Sequence, residues 1–187
     1  MKKLLLHSCC APCTSGVLPQ ISDYDITLLF YNPNIDTLEE YNRRAEALVD
    51  YVAKYNAEYG TNVKYIITPY NHEEFINKIT NLENEKEGGL RCNNCISLRL
   101  EYTAQYAQDN GYQVFASTLS VSPHKNNVMI NEIGDNLSNE YAVEYLPSNW
   151  KKNNGYLNSI NNSKKYGIYR QNYCGCEFAK SHLNMQK

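Results

Sequence analysis

The chain of 187 residues, 42% hydrophobic and 20% charged, is long enough to bury one domain-sized core and too apolar for disorder or a coiled coil over most of its length. No run of eighteen apolar residues exists, and the opening MKKLLLHSCC holds only three leucines, so neither a membrane partner nor a secretory leader is expected and the protein reads as cytoplasmic. The net charge of −2 conceals a split: residues 1–149 hold 11 basic and 19 acidic side chains, giving −8, whereas residues 150–187 hold 7 and 1, giving +6, a tail suited to a polyanion or to a solvated basic face.

Leu4, Leu5 and Leu6 form a short apolar run that ends at His7 and Ser8, the pattern of a buried strand entering a loop, and Pro12 suits the first turn of a helix. A second strand is predicted over residues 26–31, stopped by Asn32-Pro33-Asn34. Leu38, Tyr41, Ala45, Leu48, Val52, Tyr55 and Tyr59 recur at steps of three and four, predicting an amphipathic helix from Thr37 to Gly60. Residues 63–68 read as a strand, 72–80 as a short helix, 81–91 as a polar loop, and about 97–110 as helix. A strand over 113–117, a loop through Pro123, a helix starting near His124 and a weaker strand around 141–145 complete the alternation. After Leu146 no clear period is present, so 150–187 reads as an irregular basic appendage to one domain whose core is 1–149. Alternating strands and helices predict an α/β fold with a parallel sheet covered on both faces. The loops after the first and fourth strands, holding Cys9 and Ser120, then face one crevice at the carboxyl ends of the strands.

The seven cysteines fall in three groups: HSCCAPC at 7–13, RCNNC at 91–95 and YCGC at 173–176. Cytosolic thiols are kept reduced, so metal binding or catalysis is expected rather than a disulfide framework. Cys10/Cys13 and Cys92/Cys95 share the C-x-x-C spacing of metal sites, which leaves zinc and iron-sulfur both open. Seven thiols exceed the four that one closed centre consumes, leaving three for an open iron site, a second metal or a redox dithiol. A Cys13 at a helix start, with Arg91 nearby, would be held toward the thiolate. Ser120, Ser122 and a helix start at His124 could cradle a phosphate or nucleoside, or form a plain cap.

Five ordered blocks, HSCCAPC, YNPNI at 31–35, EGGLRCNNC at 87–95, TLSVSPHKN at 118–126 and YRQNYCGC at 169–176, resemble the epoxyqueuosine reductase QueH family, the cobalamin-independent enzymes of queuosine tRNA modification. The resemblance spans most of the chain. It implies a Rossmann-like domain of the adenine nucleotide alpha hydrolase-like kind, acting on tRNA that carries epoxyqueuosine in its anticodon. The reaction it implies removes the epoxide oxygen with two electrons from an external donor and two protons. It further implies a [4Fe-4S] cluster on Cys9, Cys10, Cys92 and Cys95, with room for an additional iron, and a redox-active pair or second-metal ligands in Cys174, Cys176 and Cys13. Many members carry Asp at the position of Cys13, whose thiol here is open to either metal. Among motif residues, His7, Tyr31, Glu87 and His124 are able to donate a proton. Ser120, Ser122, Lys125, Tyr169 and Arg170 are substrate-binding candidates. Lys151, Lys152, Lys164 and Lys165 are candidates for tRNA phosphates, and Trp150, Tyr156 and Tyr166 for stacking on bases. Two other classes stay open: an ATP-dependent tRNA thiolase, disfavoured because HSCCAPC stands where an SGGxDS-like loop belongs, and a non-catalytic zinc-stabilised RNA-binding module.

Overall fold

A computed structural model describes residues 1–180. Five strands, β1 (Lys3–His7), β2 (Asp25–Phe30), β3 (Lys64–Ile67), β4 (Val114–Ser117) and β5 (Glu144–Tyr145), form one sheet of order β3-β2-β1-β4-β5. Every pair is parallel; Leu4 lies opposite Ile26 on one side and Val114 on the other. The connecting helices are α1 (Ala11–Val17), α2 (Leu38–Tyr59), α3 (His72–Lys78), α4 (Leu90–Asp109), α5 (Asn127–Tyr141) and α6 (Gly155–Tyr166).

Side chains alternate across a strand, so consecutive leucines in β1 serve opposite layers. Leu4 and Leu6 pack with Leu28, Phe30, Val17 and the Leu48/Tyr51/Val52 stripe of α2, while Leu5 and Leu29 pack with Ile96, Leu100 and Ala104 of α4 and Ile130 of α5. The continuous apolar run is thus the mark of a strand buried on both faces. This is the α/β, Rossmann-like single-sheet fold expected, and no helix among the described residues is long and apolar enough to cross a membrane.

Three element assignments change. Helix α4 starts at Leu90, not near Ser97, so Cys92 and Cys95 lie in its first two turns rather than at the end of a loop. Helix α5 starts at Asn127, because the Asn126 side chain caps it by accepting from the Val128 and Met129 amides; Thr118–Val121 is a separate 3-10 turn and His124 precedes the helix. Most consequentially, the tail expected to be irregular contains α6. Its buried face is Gly155, Ser159 and Ser163, and a Cβ on Gly16 of α1 would fall 2.2 Å from the Gly155 carbonyl oxygen. A helix that docks on small residues approaches its neighbour at backbone distance and carries no apolar period to betray it. The remainder of the tail, 181–187, lies outside the described residues.

Candidate metal centre

The chain turns from β1 to β2 in one direction and reaches β4 in the other, so the sheet order reverses between β1 and β4. Loops leaving the carboxyl ends of two such strands splay apart and open a crevice. Cys9 and Cys10 follow β1 directly, and Thr118 follows β4. The Cys9 amide donates to Thr118 Oγ1 at 3.1 Å, and the Thr118 hydroxyl donates to Cys9 Sγ at 3.3 Å. The two loops therefore meet at the first thiol.

Cys10 is the N-cap of α1, its Sγ accepting from the Cys13 amide at 3.4 Å, and Pro12 occupies the first turn. The sulfurs of Cys9, Cys10 and Cys13 all lie within 4.8 Å of one another, a group able to hold a metal ion. Within it, hydrogen bonds from Cys10, Cys13 and Thr118 hold Cys9 well below the usual thiol range, while Cys10 is pushed up to about 12 by Cys9 and burial. The thiolate is the form in which Cys takes zinc or iron, and Cys9 is the member of this soft ligand set held toward it.

This group lines a cavity of about 550 Å³ with Arg44, Glu87, Arg99, Ser122, His124, Lys125, Tyr156, Arg170, Tyr173 and Cys174. A smaller cavity of about 20 Å³ adjoins it, bounded by Cys92, Cys95, Cys174 and Cys176 and by the same Arg99 and Lys125. All seven cysteines thus line two neighbouring spaces that share Arg99, Lys125 and Cys174. The Gly88 amide donates to Cys92 Sγ at 3.2 Å, and Cys95 is buried.

Cys174 and Cys176 face each other at 3.7 Å between sulfurs. The turn between them requires Gly175, at φ +126°, where an added Cβ would meet Ile35 at 3.1 Å, Asn34 at 3.2 Å and Arg44 at 3.3 Å. The backbone of the turn is gripped from the loop after β2 and from α2: Gly175 O accepts from the Asp36 amide at 2.9 Å, and Cys174 O accepts from Arg44 Nη1 at 3.1 Å and Asn34 Nδ2 at 3.4 Å. Arg44 is itself buried and paired with Glu40 at 2.7 Å. A hydrogen bond from Cys176, with Lys125 and Arg99 nearby, lowers Cys174 to about 5, and the same pairing raises Cys176.

The other candidates separate by position. Glu87, Ser122, His124, Lys125, Arg170 and Tyr156 line the larger cavity. His7 and Tyr31 do not. His7 is buried between the strands, donating through Nε2 to Tyr31 O and accepting at Nδ1 from Ser117, and burial lowers it to about 4, so it stays neutral. The Tyr31 hydroxyl is bonded to Glu74, and its ring stacks on Tyr102. Ser120 is buried against Ser148 at 2.9 Å, and Tyr169 sits under Arg43 with its hydroxyl on Glu40. Of the lysines expected to meet tRNA phosphates, none lines the cavity: Lys151 donates to the carbonyl of cavity-lining Lys125 at 2.9 Å, Lys165 is paired with Glu58, and Lys152 and Lys164 are exposed. Trp150 is in the core, donating to Ser117 O, and Tyr166 packs on Tyr51 with its hydroxyl on Glu58.

Arg44 and Arg99 were not among the sequence candidates. Their signal was present: Arg44 falls three residues after Tyr41 on the apolar face of α2, and Arg99 four after Cys95 on the buried stripe of α4.

Over residues 4–182 the chain matches a family model described as epoxyqueuosine reductase QueH. It is 47% identical over 180 residues to the epoxyqueuosine reductase QueH of Staphylococcus epidermidis, covering 95% of this chain and 76% of that protein. The protein of the same name from Streptococcus pyogenes is 44% identical, with 94% and 69% covered, and that from Thermotoga maritima 41% identical, with 96% and 91% covered.

Proposed function

This chain belongs to the epoxyqueuosine reductase QueH family and is an oxidoreductase of that kind; on that premise we propose that it removes the epoxide oxygen from epoxyqueuosine in a tRNA anticodon, at an iron-sulfur centre held by its clustered thiols. The observation that carries the reading is the convergence of all seven cysteines on two adjoining cavities at the switch point of the sheet. The donor set fits such a group: it is entirely soft sulfur, and three of the sulfurs lie within 4.8 Å of one another. Cys9, Cys10, Cys92 and Cys95 would hold a [4Fe-4S] cluster, with Cys13 a further ligand to it or to an additional iron. Cys174 and Cys176 would form a dithiol. A bound cluster supplies single electrons and an iron able to act as a Lewis acid.

The chain's own residues do the rest. The modified base enters the larger cavity, whose lining is rich in cations: among the described residues Arg44, Arg99, Lys125 and Arg170 share it with Glu87 alone among acids. Such a pocket draws in a nucleotide's phosphates, and Lys151 extends the positive edge outward. Tyr156 on the cavity wall would stack on a base splayed from the anticodon, while the Tyr173 ring on the same wall lies against Arg44 and Lys180. Loss of the oxygen as water needs two protons, and Glu87 and His124, which line the cavity, would deliver them through the carboxyl oxygen and ring nitrogen. A thiolase reading is not favoured, because the β1–α1 turn that would grip ATP phosphates is filled by Cys9 and Cys10.

The test is anaerobic incubation of reconstituted protein with reductant and epoxyqueuosine-containing tRNA, then digestion and mass analysis. Loss of one oxygen from the nucleoside is expected; a cluster-loaded sample that leaves it in place refutes the assignment.

A further inference from the structure

We propose that Arg99 is a positioning residue of the thiol centre: its fixed counter-cation, which raises the reduction potential of whatever iron-sulfur group the thiols hold. The inference rests on the reading that these cysteines carry such a group.

Arg99 is 4% exposed. Among the described residues no carboxylate lies within 4.0 Å of it. The one hydrogen bond of its guanidinium among those residues runs from Nε to the Cys95 carbonyl at 3.2 Å. Of the other buried arginines, Arg44 is paired with Glu40, while Arg91 donates through Nη1 to the carbonyls of Glu83 and Glu85 and lies over the Phe178 ring, its Nε and Nη2 without a hydrogen-bond partner among the described residues. A guanidinium withdrawn from water without an anion is strongly unfavourable, and it cannot escape by losing its proton. With no carboxylate paired to it among the described residues, Arg99 shares its space with the thiols of both cavities and, in the larger, with Glu87. Arg99 lines both cavities, the larger with Cys9 and Cys174 and the smaller with Cys95, Cys174 and Cys176. One helical turn sets this up: Cys95 and Arg99 are i and i+4 on the buried stripe of α4, so the helix that presents a ligand also presents the compensating charge.

Adding an electron to a thiolate-bound cluster makes an anionic group more negative. A permanent cation at low local dielectric stabilises the reduced form more than the oxidised one, and the potential rises. Lys125 touches the same two spaces but is only half-buried, so water screens its charge more.

The experiment is an anaerobic redox titration, followed by absorbance and electron paramagnetic resonance, of the reconstituted full chain and of its Arg99→Gln and Arg99→Lys variants. Iron and sulfide content and far-ultraviolet dichroism are measured on each. Arg99→Gln should lower the reduced-to-oxidised ratio at a fixed potential by at least tenfold, about 59 mV for one electron, while Arg99→Lys stays within a factor of about three. A Gln variant that titrates with the wild type, or at more positive potential, overturns the proposal. If the Gln variant folds but loses its centre, retention by Arg99→Lys supports a role for the charge, whereas loss in both assigns Arg99 to the carbonyl contact and overturns it. Wild-type protein that takes up no cluster sinks the iron-sulfur reading beneath it, a result distinct from coincident titrations.

Discussion

Replacing Gly175 by Ala tests whether the turn between Cys174 and Cys176 is a working part of the site. At φ +126° an L side chain is confined to a region that glycine alone occupies freely, at ~1–3 kcal/mol. The added methyl would also press on Ile35, Asn34 and Arg44 at 3.1, 3.2 and 3.3 Å. The alternative, releasing the turn, forfeits the three hydrogen bonds from Asp36, Arg44 and Asn34, at ~1 kcal/mol each. Both routes cost ~2–3 kcal/mol, which for a domain of this size lowers Tm by roughly 4–10 °C. Either way the sulfurs leave their 3.7 Å pairing. Because none of Cys9, Cys10, Cys92 or Cys95 is touched, iron and sulfide content should hold while turnover of epoxyqueuosine-containing tRNA falls at least tenfold. The assay is a thermal melt, an iron determination and mass analysis of the digested product on the same preparation. Turnover and melting equal to wild type would refute the reasoning, since neither the strain nor the pairing would then matter.

Cys95→Ser should lose both iron and turnover, and Cys174→Ser turnover alone; iron retained with activity in the Cys95 variant would overturn the ligand assignment. His7 has a native pKa of about 4 against ~6.5 in the unfolded chain. As the pH is lowered from 6.5 to about 4 the unfolded state takes up a proton that the native state refuses, and stability falls by up to ~3 kcal/mol. His7→Gln should flatten that part of the Tm–pH curve, and an unchanged slope would count against a neutral buried ring. Lys151→Gln should raise KM for tRNA several-fold and reduce the salt dependence of binding by about one counterion, whereas Lys165→Gln, already paired with Glu58, should do neither.

The central strands and α2 were legible because burial wrote a period into them: three leucines in succession for a strand covered on both sides, and Tyr41 to Tyr59 at steps of three and four. The meeting of the Cys9 loop with the residues after β4 was legible from topology alone. What was hidden was hidden for physical reasons. Helix α6 buries Gly155, Ser159 and Ser163, residues that signal loops by composition and close packing only in three dimensions. The start of α4 was masked because Arg91, Asn93 and Asn94 beside two cysteines look like a polar ligand loop, yet Arg91 is buried under Phe178. Arg44 and Arg99 pass as solvent-facing charges on amphipathic helices until a cavity is found on their buried side. The gathering of three distant thiol groups was carried by the motifs, whereas their grouping around two adjoining spaces belongs to the tertiary structure.

The close seat of α6 on α1 also imposes an order on biosynthesis. Cys9 and Cys10 leave the ribosome before the other thiols, but the wall of their cavity includes Tyr156 and Ser159 of α6 and, later still, Cys174. At ~5–20 residues per second the nascent chain waits roughly 8–30 s between its first and last thiols. During that interval the earliest cysteines stand open to oxidant and to whichever free metal arrives. Docking of α6 is therefore the step after which those first thiols sit within their finished wall.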